Sequence, residues 1–535
     1  MRRVVVALLL TVSLACGKET PVVPPSAKPA APADTHDGGR LVRRLEGDVK
    51  TLNYLLQTTE DERQVLALLY DPLIELDRDL APLPGVAARW EVLDGGKTYV
   101  LHLDPRANFS DGQPVRASDV VFTLNKVFEA ESTQFAPWFD GLDREQTRAV
   151  GERTVRVVFK EAHAGRIFSF NIGVLPEHVY GKEKNFVRSS KVVGNGAYVL
   201  KKRERDRSLL LERRENYWRD KPAIKSVLFR PISDDAVAWK ALQRGDVDVA
   251  RINNEIWARV KDDPAVQQKI EFHFNYQLGY NAIVWNLADP LLGDVRVRRG
   301  LAMAFDRQAI IDKLYAGQAR VVSGPFTSDL PEHNPEVAPI EFNPQAAAAL
   351  LGSAGWRDTD GDGILDRDGK KFELTLLILS GNAPSRDQGQ VFQEALRGIG
   401  VRLELKALDA AAFYDLVLQR NYQAAYVSWV NEPDPDPSDL FHSKRLAPEG
   451  MNVTGYANEE ADQLMDEAAA EPDSAHRLDL YRQLHELLAR DQPYLWTLQV
   501  SEKWGVNRRV QNVQMARGYG LFLWYPDSKA WWLKP

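Results

Sequence analysis

From residue 40 onward, apolar residues recur either at every second position or at helical spacing, and the two rhythms alternate along the chain. KTYVLHL, residues 97–103, alternates with period two and breaks at Pro105, as a half-buried strand does. A turn at Asp111-Gly112 then leads into a helix, with Ser118 as expected N-cap and Val121, Leu124 and Val127 spaced along one face. TVRVVF (154–159) and SLLLERR (208–214) read as strands, and DDAVAWKALQR (234–244) as a helix stopped near Gly245 before another strand. RVRRGLAMAFDRQAIIDKLY (296–315) predicts a helical pair. Asn343 is placed to cap a further helix, Pro344 suits its first turn, and Gly352 or Gly355 ends it. KFELTLLIL and VRLELKAL flank the helical RDQGQVFQEALRGIG as strand, helix and strand. Two late helices follow, the second with Leu478, Tyr481, Leu484 and Leu488 on one apolar face. Alternation of this kind predicts α/β architecture.

The length, 535 residues, exceeds what one core supports and implies two or three domains. A net charge of −7 without a basic cluster argues against a nucleic-acid partner. Thirteen tryptophans suit a large core, a ligand groove, or both. The start changes the picture more. MRR is followed by the apolar run VVVALLLTVSLA and then by Cys16, the only cysteine of the chain. The run is too short to cross a bilayer and reads as a secretory signal over residues 1–15. It resembles a bacterial lipoprotein signal, with Cys16 as the lipidated residue, although Ser13 stands where such signals usually have Leu. Residues 16–39 are rich in Pro and Ala and read as an extended tether between a membrane and a folded body in the cell envelope.

The usual marks of catalysis are absent. The nine histidines hold no H-E-x-x-H spacing, and the chain has neither a phosphate loop nor a G-x-S-x-G elbow. GNGAY (194–198) begins like a dinucleotide fingerprint but lacks its third glycine. The reading is therefore of a protein that is not an enzyme and has no cofactor. One motif leaves two alternatives open. In DTDGDGILDRDG, Asp358, Asp360, Asp362 and Asp366 fall at the first, third, fifth and ninth places of a calcium loop, with glycine at the sixth. The twelfth place should hold Glu and is Gly369, and Asp-Gly steps also make ordinary tight turns.

Five segments, in order, resemble the bacterial extracellular solute-binding proteins of family 5, which include oligopeptide- and dipeptide-binding lipoproteins of ABC importers. They are YDPLIELDRDLAPLPGVAARWEVLDGGKTYVLHLDPRANFSDGQPVRASDVVFTL, GNGAYVL with ENYWRDKP, YNAIVWNLADPLLGDVRVRRGLAMAFDRQAII, LLGSAGWRDTDGDGILDRDGKKFEL, and SWVNEPDPDPSDLF with NVTGYANEEADQLMDEA. The resemblance implies a two-lobed periplasmic-binding-protein clamshell of type II. Lobe I would span 40–275 with a subdomain inserted roughly at 56–189, lobe II 276–505, and residues 506–535 would return to lobe I. It further implies a monomer that captures a small peptide between its lobes and presents it to an ABC permease. In peptide binders of the family an acid shortly after a tryptophan holds the ligand ammonium. Glu432 after Trp429 takes that place here, with Asp434 as alternate, and Tyr280, Asn281 and Trp285 lie on the segment entering lobe II. An arginine that grips the carboxylate in some dipeptide binders has no counterpart at Ser380-Gly381, and Arg386 comes later. A non-peptide solute (an oligosaccharide, a metal chelate or an opine-like compound) and a sensor without transport are the alternatives.

Overall fold

Three β-sheets carry the architecture, and the order of their strands divides the chain into two lobes. In the computed structural model the described residues are 37–535, apart from 130–134, 164, 184–185, 187–188, 432, 472, 518–523 and 525–527. The signal, Cys16 and Glu432 thus lie outside them, as does nearly all of the tether.

The first sheet runs in the order Ile270–Tyr276, Leu498–Asn507, Val249–Arg251, Arg40–Leu45, Ser226–Pro231, Ser208–Arg213, Tyr198–Glu204. Between Leu45 and Tyr198 the chain leaves it and builds a four-stranded sheet from Ala87–Leu93, Thr98–Leu103, Arg148–Ala149 and Thr154–Val158. The two sheets share one continuous core, which holds Leu41, Val227, Leu101, Val155 and Phe170 together. The second lobe is a five-stranded sheet, ordered Arg402–Leu408, Glu373–Leu379, Ala424–Val430, Gly279–Trp285, Tyr494–Trp496. Its strand Gly279–Trp285 is buried along its whole length. Tyr280, Ala282 and Val284 pack into one cluster and Ile283 and Trp285 into another, as period-two alternation in a sheet covered on both faces requires.

Two segments cross between the lobes, one at Gln277-Leu278 and one within the strand Leu498–Asn507. The latter pairs with the first sheet from Ser501 onward, so the chain returns to lobe I earlier than the expected 506. The tail then adds Trp531 and Leu533 to the first core.

GNGAY is a packing motif rather than a fragment of a nucleotide site. A Cβ at Gly194 or Gly196 would overlap the backbone of Leu68 to Tyr70, so only glycine lets the segment lie this close. Asn195 between them exchanges hydrogen bonds with the Asp71 backbone, at 2.9 and 3.1 Å. The fully buried Asp71 carboxylate accepts from Tyr217 Oη at 2.7 Å, Trp218 Nε1 at 3.2 Å and Lys529 Nζ at 2.6 Å. Among the described residues no helix is long and apolar enough to cross a membrane.

Candidate functional site

The lobes enclose a cleft of about 1030 Å³. Its lobe II wall is made by strand ends. Pairing sets Tyr280 opposite Trp429 and Asn281 opposite Ser428, and Ser428 Oγ donates to Asn281 Oδ1 at 2.7 Å. Thr497 fixes the Asn281 carbonyl from behind with its amide and hydroxyl, both at 2.9 Å. Ser380, Gly381 and Asn382 extend this wall, and Asn382 caps the helix Ala383–Arg397 through a 3.0 Å bond from Ser385 N. The open first turn of that helix favours negative charge in the cleft. Arg386 pairs with its neighbour Asp387 at 2.9 Å.

The lobe I wall is charged. Arg44, Glu60, Asp235, Arg251, Glu502 and Lys503 contribute to it from five separate segments. Antiparallel pairing places Arg251 opposite Trp504, which explains why Arg251 meets Glu502 at 3.5 Å. Gln277 Nε2, on the other crossing segment, donates to Glu502 Oε1 at 2.9 Å. Lys503 donates to Asn254 Oδ1 and Ser501 Oγ, both at 2.8 Å, and burial lowers its ammonium to about 8.

Of the residues expected at the site, Tyr280, Asn281 and Trp429 line the cleft. Trp285 does not, which is a correction. It lies roughly 13 Å farther along the strand than Asn281, at ~3.3 Å per residue, and is wholly enclosed in the core. Asp434 is a second correction. Its carboxylate is paired with Arg477 and packed so tightly against the lobe I segment between Leu45 and Tyr198 that a Cβ at Gly165 would collide with it. Beside it His163, also from that segment, sits 2.9 Å from Asp436 Oδ2. These contacts clasp the lobes together, and none of the residues that make them lines the cleft. The sequence reading did not anticipate the lobe I wall.

The aspartate-rich loop lies away from the cleft. Oxygens of Asp358, Asp360 and Asp366 converge within 4.8 Å, a donor set of the kind calcium uses. The ammonium of Lys371 also stands there, 2.6 Å from Asp360, 3.0 Å from Asp362 and 3.9 Å from Asp366. The loop closes on the short paired strands Asp366–Arg367 and Lys370–Lys371, not on a second helix.

Comparison with known proteins places this geometry in context. The sequence profile of the bacterial extracellular solute-binding proteins, family 5 (middle region), matches residues 81–452. The oligopeptide-binding protein AppA of Bacillus subtilis (strain 168) is 28% identical over 530 residues, covering 95% of this chain and 94% of its own. The nickel-binding periplasmic protein of Escherichia coli (strain K12) is 24% identical over 463 residues, covering 82% and 84%. The solved structure of the Bacillus subtilis AppA in complex with a nonapeptide superposes with a TM-score of 0.77 at 26% identity, covering 94% of this chain and 100% of that one.

Proposed function

Because the chain belongs to the bacterial extracellular solute-binding proteins of family 5, two-lobed proteins that bind substrates and are not enzymes, we propose that it captures short peptides for an ABC importer. The observation that carries this reading is the interlobe cleft of about 1030 Å³, just above the ~300–1,000 Å³ usual for small-molecule sites. Its two strand ends, one helix first turn and charged far wall suit an extended zwitterion. Closure of the lobes removes the ligand from water and creates the shape a permease recognises. Glu432, on the loop that follows Trp429, is the proposed partner of the peptide ammonium. Lipid on Cys16 would hold the protein at the membrane that carries the importer, in the envelope outside the cytoplasm. The relationship to a nickel-binding protein supports a metal chelate as second reading.

The test is direct. Protein purified from its native host without refolding is denatured, and the released small molecules are identified by mass spectrometry. Recovery of peptides, followed by calorimetric rebinding at micromolar or tighter affinity, is expected. Recovery of a chelate or sugar, with no heat from any peptide pool, would replace the peptide reading and leave the fold assignment intact.

A further inference from the structure

Behind the lobe I wall lies a smaller chamber of about 170 Å³. It is far larger than the ~10–15 Å³ that one water needs. Arg44, Glu46, Glu60, Arg251 and Glu502 border both chamber and cleft, so the two adjoin across these side chains. The chamber adds Asp61, and its acids, Glu46, Glu60, Asp61 and Glu502, outnumber its bases, Arg44 and Arg251.

These groups are engaged by hydrogen bonds or by ion pairs. Arg44 donates to Asp235 at 2.6 Å, to the Ile232 carbonyl at 2.9 Å and to the Arg251 carbonyl at 3.1 Å. Asp61 accepts the amides of Glu46 and Gly47 at 3.1 and 2.7 Å. Arg251 reaches Glu46 at 3.6 Å and Glu502 at 3.5 Å, and Gln277 completes Glu502. Glu60 differs. Both of its carboxylate oxygens are buried, and no described protein group donates a hydrogen bond to either, although the side chain as a whole is 29% exposed. Its ion-pair contact is Arg63, one helical turn along, at 3.7 Å. A partly buried carboxylate without a protein donor gains when a cation arrives beside it.

We propose that this chamber is a side pocket that receives a cationic group of the bound peptide, an amine or guanidinium, with Glu60 as its counter-ion. The proposal rests on the peptide reading given above. The groups facing Glu60 sharpen it. Burial, together with the charge of Glu502 and despite Arg63 and Arg251, raises the Glu60 carboxyl to about 8, with Asp61 adding to the rise. With no cation beside it, the Glu60 carboxyl is therefore largely protonated at pH 7. Entry of an ammonium or guanidinium favours the carboxylate, and the proton leaves to solvent, so charge stays balanced.

The test uses the full mature chain and three pools of alanine tetrapeptides that carry one Lys, one Met or one Glu at every position in turn. Calorimetry is expected to show the Lys pool bound roughly ten-fold or more tighter than the Met pool. In buffers of different ionisation heat at pH 7, the Lys pool should release protons and the Met pool should not. In Glu60→Gln the ratio of the two affinities should fall to about one, and the proton release should vanish. A Lys preference that survives Glu60→Gln, or no preference in the wild type, overturns the assignment. If no pool binds, the peptide reading fails and the chamber is judged alone with n-butylamine, n-butylguanidine and n-butanol. The two cations should raise the melting temperature of the wild type and not of Glu60→Gln, and equal responses would overturn the proposal.

Discussion

His163 of lobe I and Asp436 on the loop after the lobe II strand Ala424–Val430 meet across the interlobe boundary, with Nε2 2.9 Å from Oδ2. His163 Nδ1 accepts the Gly165 amide at 3.1 Å, so Nε2 carries the proton and donates it to Asp436. Burial alone would raise the Asp436 carboxyl, but His163 and the Ser438 donors outweigh it and hold it below the usual 3.8. A depressed carboxyl stabilises the clasped form at pH above its ordinary value, and that contribution disappears as pH falls through the lowered one. His163→Ala should therefore loosen the closed lobes by about 1 kcal/mol, since both side chains keep some solvent contact. Small-angle scattering should show a larger radius of gyration for the ligand-free variant at pH 7, with the difference from wild type shrinking as pH falls below the ordinary carboxyl value of 3.8.

Removing the proposed ammonium partner should separate affinity from stability. Glu432→Ala should cost about 3–5 kcal/mol of peptide binding, read by calorimetry, because a desolvated cation loses its counter-charge. Asp434→Asn should instead act on stability, because it breaks a largely buried pair with Arg477, and a loss of about 2 kcal/mol in denaturant unfolding is expected. Equal loss of binding in both variants would mean that the loop acts as one unit.

The Asp71 brace ties the inserted region to the GNGAY segment, to Tyr217-Trp218 and to the tail. Asp71→Ala removes one acceptor from three donors, and thermal unfolding should show a loss of about 3–5 kcal/mol. Gly196→Ala should be at least as damaging, since the added methyl meets backbone that cannot swing aside.

Lys371 already supplies a positive charge to the aspartate-rich loop. Millimolar calcium should leave the melting temperature of the wild type nearly unchanged and raise that of Lys371→Met by several degrees, because the freed carboxylates then have no internal cation. A rise in the wild type equal to that in the variant would show that calcium displaces the lysine unaided.

Local signals in the sequence were legible where one short segment decides the outcome. Gly245 ends its helix in the left-handed region at φ 78°, and Asn343 with Pro344 starts the helix Pro344–Ser353. That helix stops at Ala354 with Gly355 at φ 91°, within the range expected. The helix at Ala117–Glu129 begins one residue before the expected Ser118 cap, and the Asp119 carboxylate bonds back to Arg116 N at 2.7 Å. The aromatic tail does join the first core, through Trp531 and Leu533. The cleft was legible only on its lobe II side, where Tyr280, Asn281 and Trp429 sit in recognisable segments. Its charged wall joins Arg44 to Glu502 across nearly the whole chain, and each of those residues alone looks like ordinary surface charge. Glu60 is disguised further, because an acid just after the capping residue Thr59 is what any helix start favours.

Leu80 sits at the tip of the hairpin formed by Ile74–Leu76 and Pro82–Pro84, with φ at 68° and only 7% of its surface open. It is embedded among lobe II residues that include Leu278 and Phe326. Parting the jaws must draw this side chain into water at a cost of about 1.5–3 kcal/mol. The hairpin tip therefore acts as an apolar latch between the jaws, with or without solute. Leu80→Ala should weaken that latch, and small-angle scattering should then show a larger radius of gyration for the ligand-free variant than for wild type.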